Sequence, residues 1–288
     1  MLHSMTGFAR QSLEWSLGTL TWEIRAVNHR YLDVSFKLPD DLRPNEQVFR
    51  QKVNDKLKRG KVECVFNFRR AFDAATAIQL DDDLVGLLAS RVAEIDKRLP
   101  QAGSTSAIEI LRWPGVVRQA EIDVEPLFSE AAALLDTTID AIAAMRASEG
   151  IRIAAMIESR CRDIEKISAA VRKRMPEVLE AVRTKQRERI EKLDIDADSD
   201  RLEMELALIA QKIDVDEEVD RLDSHVKEIR DTLTKKEPVG RRLDFLMQEL
   251  NREANTLGSK SADTETTKAA VELKVLIEQM REQIQNVE

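Results

Sequence analysis

In the first seventy residues, apolar positions recur with a period of two. Leu20, Trp22, Ile24 and Ala26 alternate with Thr21, Glu23 and Arg25, the pattern of a strand with one face in a core. Leu32, Val34, Phe36 and Leu38 repeat it, as do Val62, Cys64, Phe66 and Phe68. Residues 2–14 read as a further strand at the front. Leu42 to Leu57 has helical spacing instead, and Arg59-Gly60 suits a helix stop. The predicted order is β-β-β-α-β.

Beyond this region the pattern is helical. A helix is predicted over 81–99, and Ser106 suits the cap of another running through Leu111. Trp113-Pro114-Gly115 then breaks the chain, with Trp113 expected to be a buried structural residue. From about residue 124 nearly everything reads helical, including a long charged stretch from Glu149 to Leu193 with Pro176 inside it. Asp194 to Asp200 is an acidic connection whose spacing and lack of glycine do not suit a calcium loop. Helices follow at about 200–212, 215–236, 239–256 and 265–287. The predicted class is α+β: an N-terminal domain over 1–155 with a β-sheet and packed helices, a long-helix connector over 156–200, and a C-terminal helical domain over 201–288.

Composition narrows this picture. Charged residues are 34% and aromatics 4% of the 288 residues, a balance that favours long solvated helices over an all-β fold. With only 9 Gly and 7 Pro, loops should be few. A net charge of −8 argues against a general nucleic-acid binder, yet residues 1–70 carry 13 Lys and Arg against 8 Asp and Glu, leaving −13 for the remainder. A basic front and acidic rear fit an RNA-gripping part joined to a carboxylate-rich part, or simply solvated helix faces with uneven counterions. Cys64 and Cys161 form no zinc pattern and are expected to be reduced and buried. No apolar run reaches the roughly 20 residues needed to span a bilayer, and a soluble cytoplasmic protein is expected. P-loop, GxGxxG, GxSxG and HExxH motifs do not occur, which weighs against nucleotide-driven motors, Rossmann dehydrogenases, α/β-hydrolases and zincins.

Candidate chemistry lies at both ends. On the helix at 215–236, Glu218, Arg221, His225 and Glu228 share one stripe beside the apolar face of Val219, Leu222, Val226, Ile229 and Leu233. His225 and Glu228 can point at one metal ion, or His225 can move a proton; a surface helix with internal ion pairs has the same pattern. On the next helix, Glu249 and Glu253 stand one turn apart, and Asp244, Gln248 and Arg252 form a neighbouring stripe. Carboxylates of this kind suit Mg²⁺ or Mn²⁺, and Arg241 and Arg242 at the helix start suit phosphate. Glu272 and Glu278 lie near the apolar face of the last helix. In the N-terminal part, Asn28, Arg30 and Tyr31 sit at a turn where a cation and an aromatic can grip phosphate and stack on an unpaired base, and Lys58-Arg59-Gly60-Lys61 places three cations around another.

The opening Ser4-Met-Thr-Gly-Phe-Ala9, the turn Val27-Asn-His-Arg-Tyr-Leu32, Arg59-Gly-Lys-Val-Glu63 and Leu111-Arg-Trp-Pro-Gly115 resemble the N-terminal region of the YicC/YloC family of bacterial endoribonucleases. His225-Val-Lys-Glu228, Gly240-Arg-Arg-Leu-Asp-Phe245, Gln248-Glu249, Asn251-Arg-Glu253, Asn255-Thr256 and Glu272-Leu-Lys274 resemble its C-terminal region. The middle, about 120–200, is similar in helical character rather than in words, and His29 stands where glutamine is expected. The resemblance implies a metal-assisted endoribonuclease that cuts single-stranded or hairpin RNA, including small regulatory RNAs. It also implies a homo-oligomer, a hexamer, whose long helices surround an RNA cavity, with RNA-degradation enzymes as further partners. On this reading Glu249, Glu253 and Glu272 bind a Mn²⁺ or Mg²⁺ ion with Glu228 and Asp244 in support. His225 moves a proton, Arg241, Arg242 and Arg252 offset phosphate charge, and Asn28, Arg30, Tyr31, Arg59 and Lys61 grip RNA. The competing reading is a non-catalytic adaptor that presents RNA to another ribonuclease with the same arginines.

Overall fold

A computed structural model describes residues 2–71, 79–98, 106–118, 123–192, 199–235 and 237–288. Most of the acidic connection predicted after Leu193 lies outside these residues. The N-terminal region opens with β1 (Gly7–Trp15), β2 (Gly18–Val27) and β3 (Leu32–Lys37). A 3₁₀ turn, Asp40–Asn45, leads into α1 (Glu46–Lys56), and β4 (Gly60–Arg70) follows. The sheet order is β1-β2-β4-β3, with β3 parallel to β4 and the other pairs antiparallel. The helix lies between the two parallel strands because that pairing needs a crossover.

Two boundaries differ from the sequence expectation. The first strand begins at Gly7 rather than residue 2, since residues 3–5 pair with the chain's other end. Gly60 is not the helix stop: α1 ends at Lys56, and Gly60 opens β4 at φ +112°, where a Cβ would also lie 3.2 Å from the Val27 carbonyl oxygen.

A small unit comes next: β5 (Gln79–Leu80), α2 (Asp82–Arg98), α3 (Ala107–Leu111) and β6 (Val117–Arg118), with β5 paired to β6. Ser106 caps α3 in a reciprocal box with Glu109, as its sequence position predicts. Trp113, expected to be buried, is 57% exposed: this unit offers little core to hold it.

The single helix α4 (Val124–Glu191) joins the two halves of the molecule. At 1.5 Å per residue its length is roughly 100 Å, and Pro176 lies within it. Its first part buries Leu127, Ala131, Leu135, Ile139 and Ile142 against the sheet face made by Leu20, Trp22, Ile24, Cys64 and Phe66, with Phe49 and Val53 from α1. Trp22 Nε1 donates to the Ala131 carbonyl at 2.8 Å, tying sheet to helix. Farther along, Ile153, Ile157, Cys161, Ile164, Val171 and Met175 enter a second core, so the segment read as a connector buries one face as far as Val178.

That second core is completed by α6 (Asp216–Leu233), α7 (Gly240–Lys260) and α8 (Thr264–Ile284), while α5 (Ser199–Ile213) precedes them. Val219, Leu222, Val226, Ile229, Leu243, Leu250, Leu257, Leu273, Ile277 and Met280 are all solvent-free, each worth about 1.5–3 kcal/mol of burial. Arg230 fixes α6 to α4 by donating to both Glu158 and Glu165. Its guanidinium holds the Glu165 carboxyl below the ordinary value of 4.5. Asp263 caps α8 and accepts from Arg174 of α4 at 2.7 Å. No helix among the described residues is long and apolar enough to cross a membrane.

The two chain ends clasp each other at the junction of the cores. His3 and Glu288 exchange backbone hydrogen bonds, Met5 donates to Asn286, and Ser4 donates to the Arg146 carbonyl. Buried Arg146 answers with its Nε on the Ser4 carbonyl and a 2.9 Å ion pair to Glu288. Gly150 of α4 meets this clasp so closely that a Cβ would lie 1.9 Å from the Leu2 carbonyl oxygen.

Candidate metal and RNA site

The antiparallel packing of α6 on α7 turns two separate sequence stripes into one ladder. Lys260 Nζ meets Glu218 at 2.8 Å, Arg221 meets Glu253 at 3.5 Å, His225 faces Glu249 and Glu253, and Arg242 pairs with Glu228. These contacts follow from helical spacing: Glu218, Arg221, His225 and Glu228 advance by three or four residues along α6, while their partners descend along α7. The apolar faces directly beneath hold the register.

At the middle of the ladder, one ligand atom each from His225, Glu249 and Glu253 all lie within 4.8 Å of one another. It is the one such group among the described residues. His225 and Glu249 are half-buried, whereas Glu253 is 3% exposed. Burying a carboxylate is costly without close compensation, and among the described residues its partner is a single long contact from the half-exposed Arg221. Neither the His225 nor the Glu249 side chain makes a hydrogen bond among the described residues. One imidazole nitrogen and two carboxylates form a donor set that suits a first-row or alkaline-earth divalent cation, so these residues fit such an ion. As a third donor His225 could not also carry a proton on the same nitrogen.

The remaining metal candidates stand elsewhere. Glu228 is engaged by Arg242 one rung away. Asp244 accepts from Gln248 at 2.9 Å and faces Arg281 at 3.8 Å. Glu272 is exposed on α8, beside a hollow shared with Asp263 and Lys268. Arg252, one residue before Glu253, is exposed and makes no ion pair among the described residues. Arg241 is exposed at the start of α7, and Arg242 also lies 5.2 Å over the Phe245 ring.

The N-terminal turn is presented to solvent but anchored to the helical half. Asn28 Nδ2 donates to the Gln285 carbonyl at the end of α8, 2.5 Å away. Arg59 donates to the His29 carbonyl at 3.0 Å. Arg30 stands 5.2 Å over the ring of Tyr31, which is 63% exposed, and Lys61 is exposed on β4. Asn28 and Arg59 are therefore occupied in shaping the turn, while Arg30, Tyr31 and Lys61 face outward. Lys260 and Arg281 are the site-lining cations that the sequence did not single out. Their positions in late turns of α7 and α8 carry no distinguishing spacing.

Residues 2–155 match the family described as Endoribonuclease YicC-like, N-terminal region, and residues 171–288 match Endoribonuclease YicC-like, C-terminal. The chain belongs to the YicC-like endoribonuclease family. It is 42% identical over 288 residues to a protein of Haemophilus influenzae named "Probable endoribonuclease YicC", the match covering the full length of both. A Clostridioides difficile protein of the same name is 32% identical over 293 residues, again at full length. Both family matches include candidate residues described above: the anchored turn in the first, and the entire α6–α7 ladder in the second.

Proposed function

We propose that this chain is an endoribonuclease that cuts single-stranded or hairpin RNA, small regulatory RNAs included, with the help of a divalent Mn²⁺ or Mg²⁺ ion. The observation that carries this reading is the meeting of His225, Glu249 and Glu253 at the centre of the α6–α7 ladder in a chain of an endoribonuclease family. His225, Glu249 and Glu253 hold the cation. When bound, such an ion offsets phosphodiester charge and lowers the pKa of a coordinated water. Arg221 orients Glu253, the buried member of the set. Arg252 and Arg241, exposed on the same helix, bind the flanking phosphates. Arg30, Tyr31 and Lys61 take an unpaired stretch of the RNA farther from the cut, on a turn that Asn28 fixes to the end of α8. Assembly is as a homo-oligomer, a hexamer, in the cytoplasm, where RNA-degradation enzymes take up the products.

The test is internal cleavage of an end-labelled RNA hairpin by purified protein. Cuts with Mn²⁺ or Mg²⁺ that disappear in EDTA support the proposal, and the product ends report the nucleophile: a cyclic or 3′-phosphate marks attack by the 2′-hydroxyl. Tight RNA binding without cuts in any metal would replace the nuclease with an adaptor that presents RNA to another enzyme.

A further inference from the structure

Between α7 and α8 lies a groove of about 360 Å³, within the size range of small-ligand sites. Its rim is made by Gln248, Asn251, Arg252, Asn255, Thr256 and Arg281, over the buried side chain of Met247. Among the described residues, two guanidiniums, three carboxamides and a hydroxyl line it, and no carboxylate does.

The hydrogen bonding inside the groove is incomplete. Asn255 Nδ2 donates to Asn251 Oδ1 at 3.1 Å, leaving the donors of the Asn251 amide and the oxygen of the Asn255 amide without a side-chain partner among the described residues. Gln248 spends one N–H on Asp244 and keeps its oxygen. Arg281 Nε is buried with no hydrogen-bond partner, and the carboxylates nearest that guanidinium, Glu278 and Asp244, stand 3.7 and 3.8 Å away. That guanidinium is therefore held only loosely by its carboxylate neighbours, and its terminal nitrogens keep donor capacity for a ligand.

The position of the groove relates it to the metal candidates. At 100° per residue, Asn251 and Asn255 lie on the opposite flank of α7's outer face from Glu249 and Glu253, and Arg252 projects between them. A strand crossing α7 would therefore place one nucleotide in the groove, a phosphate at Arg252 and the next phosphate at the His225–Glu249–Glu253 cluster.

We propose that the α7–α8 groove is a base-reading subsite for an unpaired purine nucleotide flanking the scissile phosphate. The proposal rests on the ribonuclease reading above. The choice of purine comes from the donor set. Carboxamides pair bidentately with N6 and N7 of adenine, and arginine pairs with O6 and N7 of guanine. N7 is the acceptor common to both and is missing from pyrimidines. The base must be unpaired to enter.

The experiment compares unstructured RNA containing adenine and guanine with the same RNA carrying 7-deazapurines, which retain shape and stacking but lack N7. Cleavage kinetics are measured for the wild-type chain and for the Asn251→Ala/Asn255→Ala variant. Anisotropy of fluorescein-labelled versions in EDTA gives binding separately. For wild-type protein, 7-deaza substitution should raise KM and Kd roughly tenfold with kcat little changed. The variant should show the same raised values on both RNAs. Equal KM and Kd for the two RNAs with wild-type protein, or a variant that still discriminates them, would overturn the subsite. Absence of cleavage in every RNA would count against the ribonuclease reading alone, because the binding comparison still decides the groove.

Discussion

Gly150 provides a prediction whose sign depends on the terminal clasp. It lies inside α4, where glycine to alanine ordinarily stabilises a helix by about 1 kcal/mol. Here the added Cβ would sit 1.9 Å from the Leu2 carbonyl oxygen, 2.6 Å from its carbonyl carbon and 3.0 Å from the His3 Cα. Those atoms are backbone, so relief requires the N-terminal segment to lift. Lifting it strains the Ser4 N–H bond to the Arg146 carbonyl, the His3–Glu288 backbone pair and the Arg146 Nε bond to Ser4. At about 1 kcal/mol net for each bond, the loss is roughly 3–4 kcal/mol. The helical gain leaves about 2–3 kcal/mol of destabilisation, or roughly 5–10 °C in Tm at about 2–4 °C per kcal/mol. Thermal melts of Gly150→Ala and wild-type protein measure it. A Tm equal to or above wild type would refute the clasp as a contributor to stability. Because the clasp holds residues 286–288 in place, and the adjoining Gln285 receives Asn28, the same variant should also weaken RNA binding at the N-terminal turn.

Other expectations follow from the two cores. Burial pushes the thiols of Cys64 and Cys161 up to about 12, so native protein should leave both unreacted with a thiol reagent at pH 8, and denatured protein should release both. Trp22→Phe should cost about 1–2 kcal/mol in urea unfolding, from the lost bond to the Ala131 carbonyl and the space left behind. Glu165 is held below its ordinary 4.5 by Arg230. Its contribution is therefore present above pH 4.5 and lost as pH falls through the depressed folded value. Arg230→Met should be less stable at pH 7 and lose less on acidification below 4.5, which unfolding midpoints at a series of pH values would reveal.

The alternation of Leu20, Trp22, Ile24 and Ala26 and the helical stripe of Val219, Leu222, Val226 and Ile229 were legible in the sequence because both periods are local. The N-terminal β-β-β-α-β order and the helices of the second half follow from such patterns. The α6 stripe from Glu218 to Glu228 was legible for the same reason. Its partners were not: which rung faces His225 depends on the tertiary register of α6 against α7, and spacing within one helix contains no such information. Hence Glu228 looked like a companion of His225, whereas in the fold it meets Arg242 and the place beside His225 belongs to Glu249 and Glu253. The clasp was hidden because residues 2–5 and 286–288 lie at opposite ends of the chain and pair through backbone atoms. Gly60 resembled a helix stop because glycine suits both a C-terminal cap and the positive φ that opens β4.

The most direct test of metal-assisted cleavage at the α6–α7 ladder is single-turnover cutting of an end-labelled RNA hairpin in Mn²⁺ by Glu253→Gln and wild-type protein, with RNA affinity measured alongside. The substitution keeps the side-chain volume and removes the buried charge. Cleavage should fall by on the order of 10²-fold or more at similar RNA affinity and Tm. Cleavage at the wild-type rate by the folded variant would remove Glu253 from the reaction and the ladder from its centre.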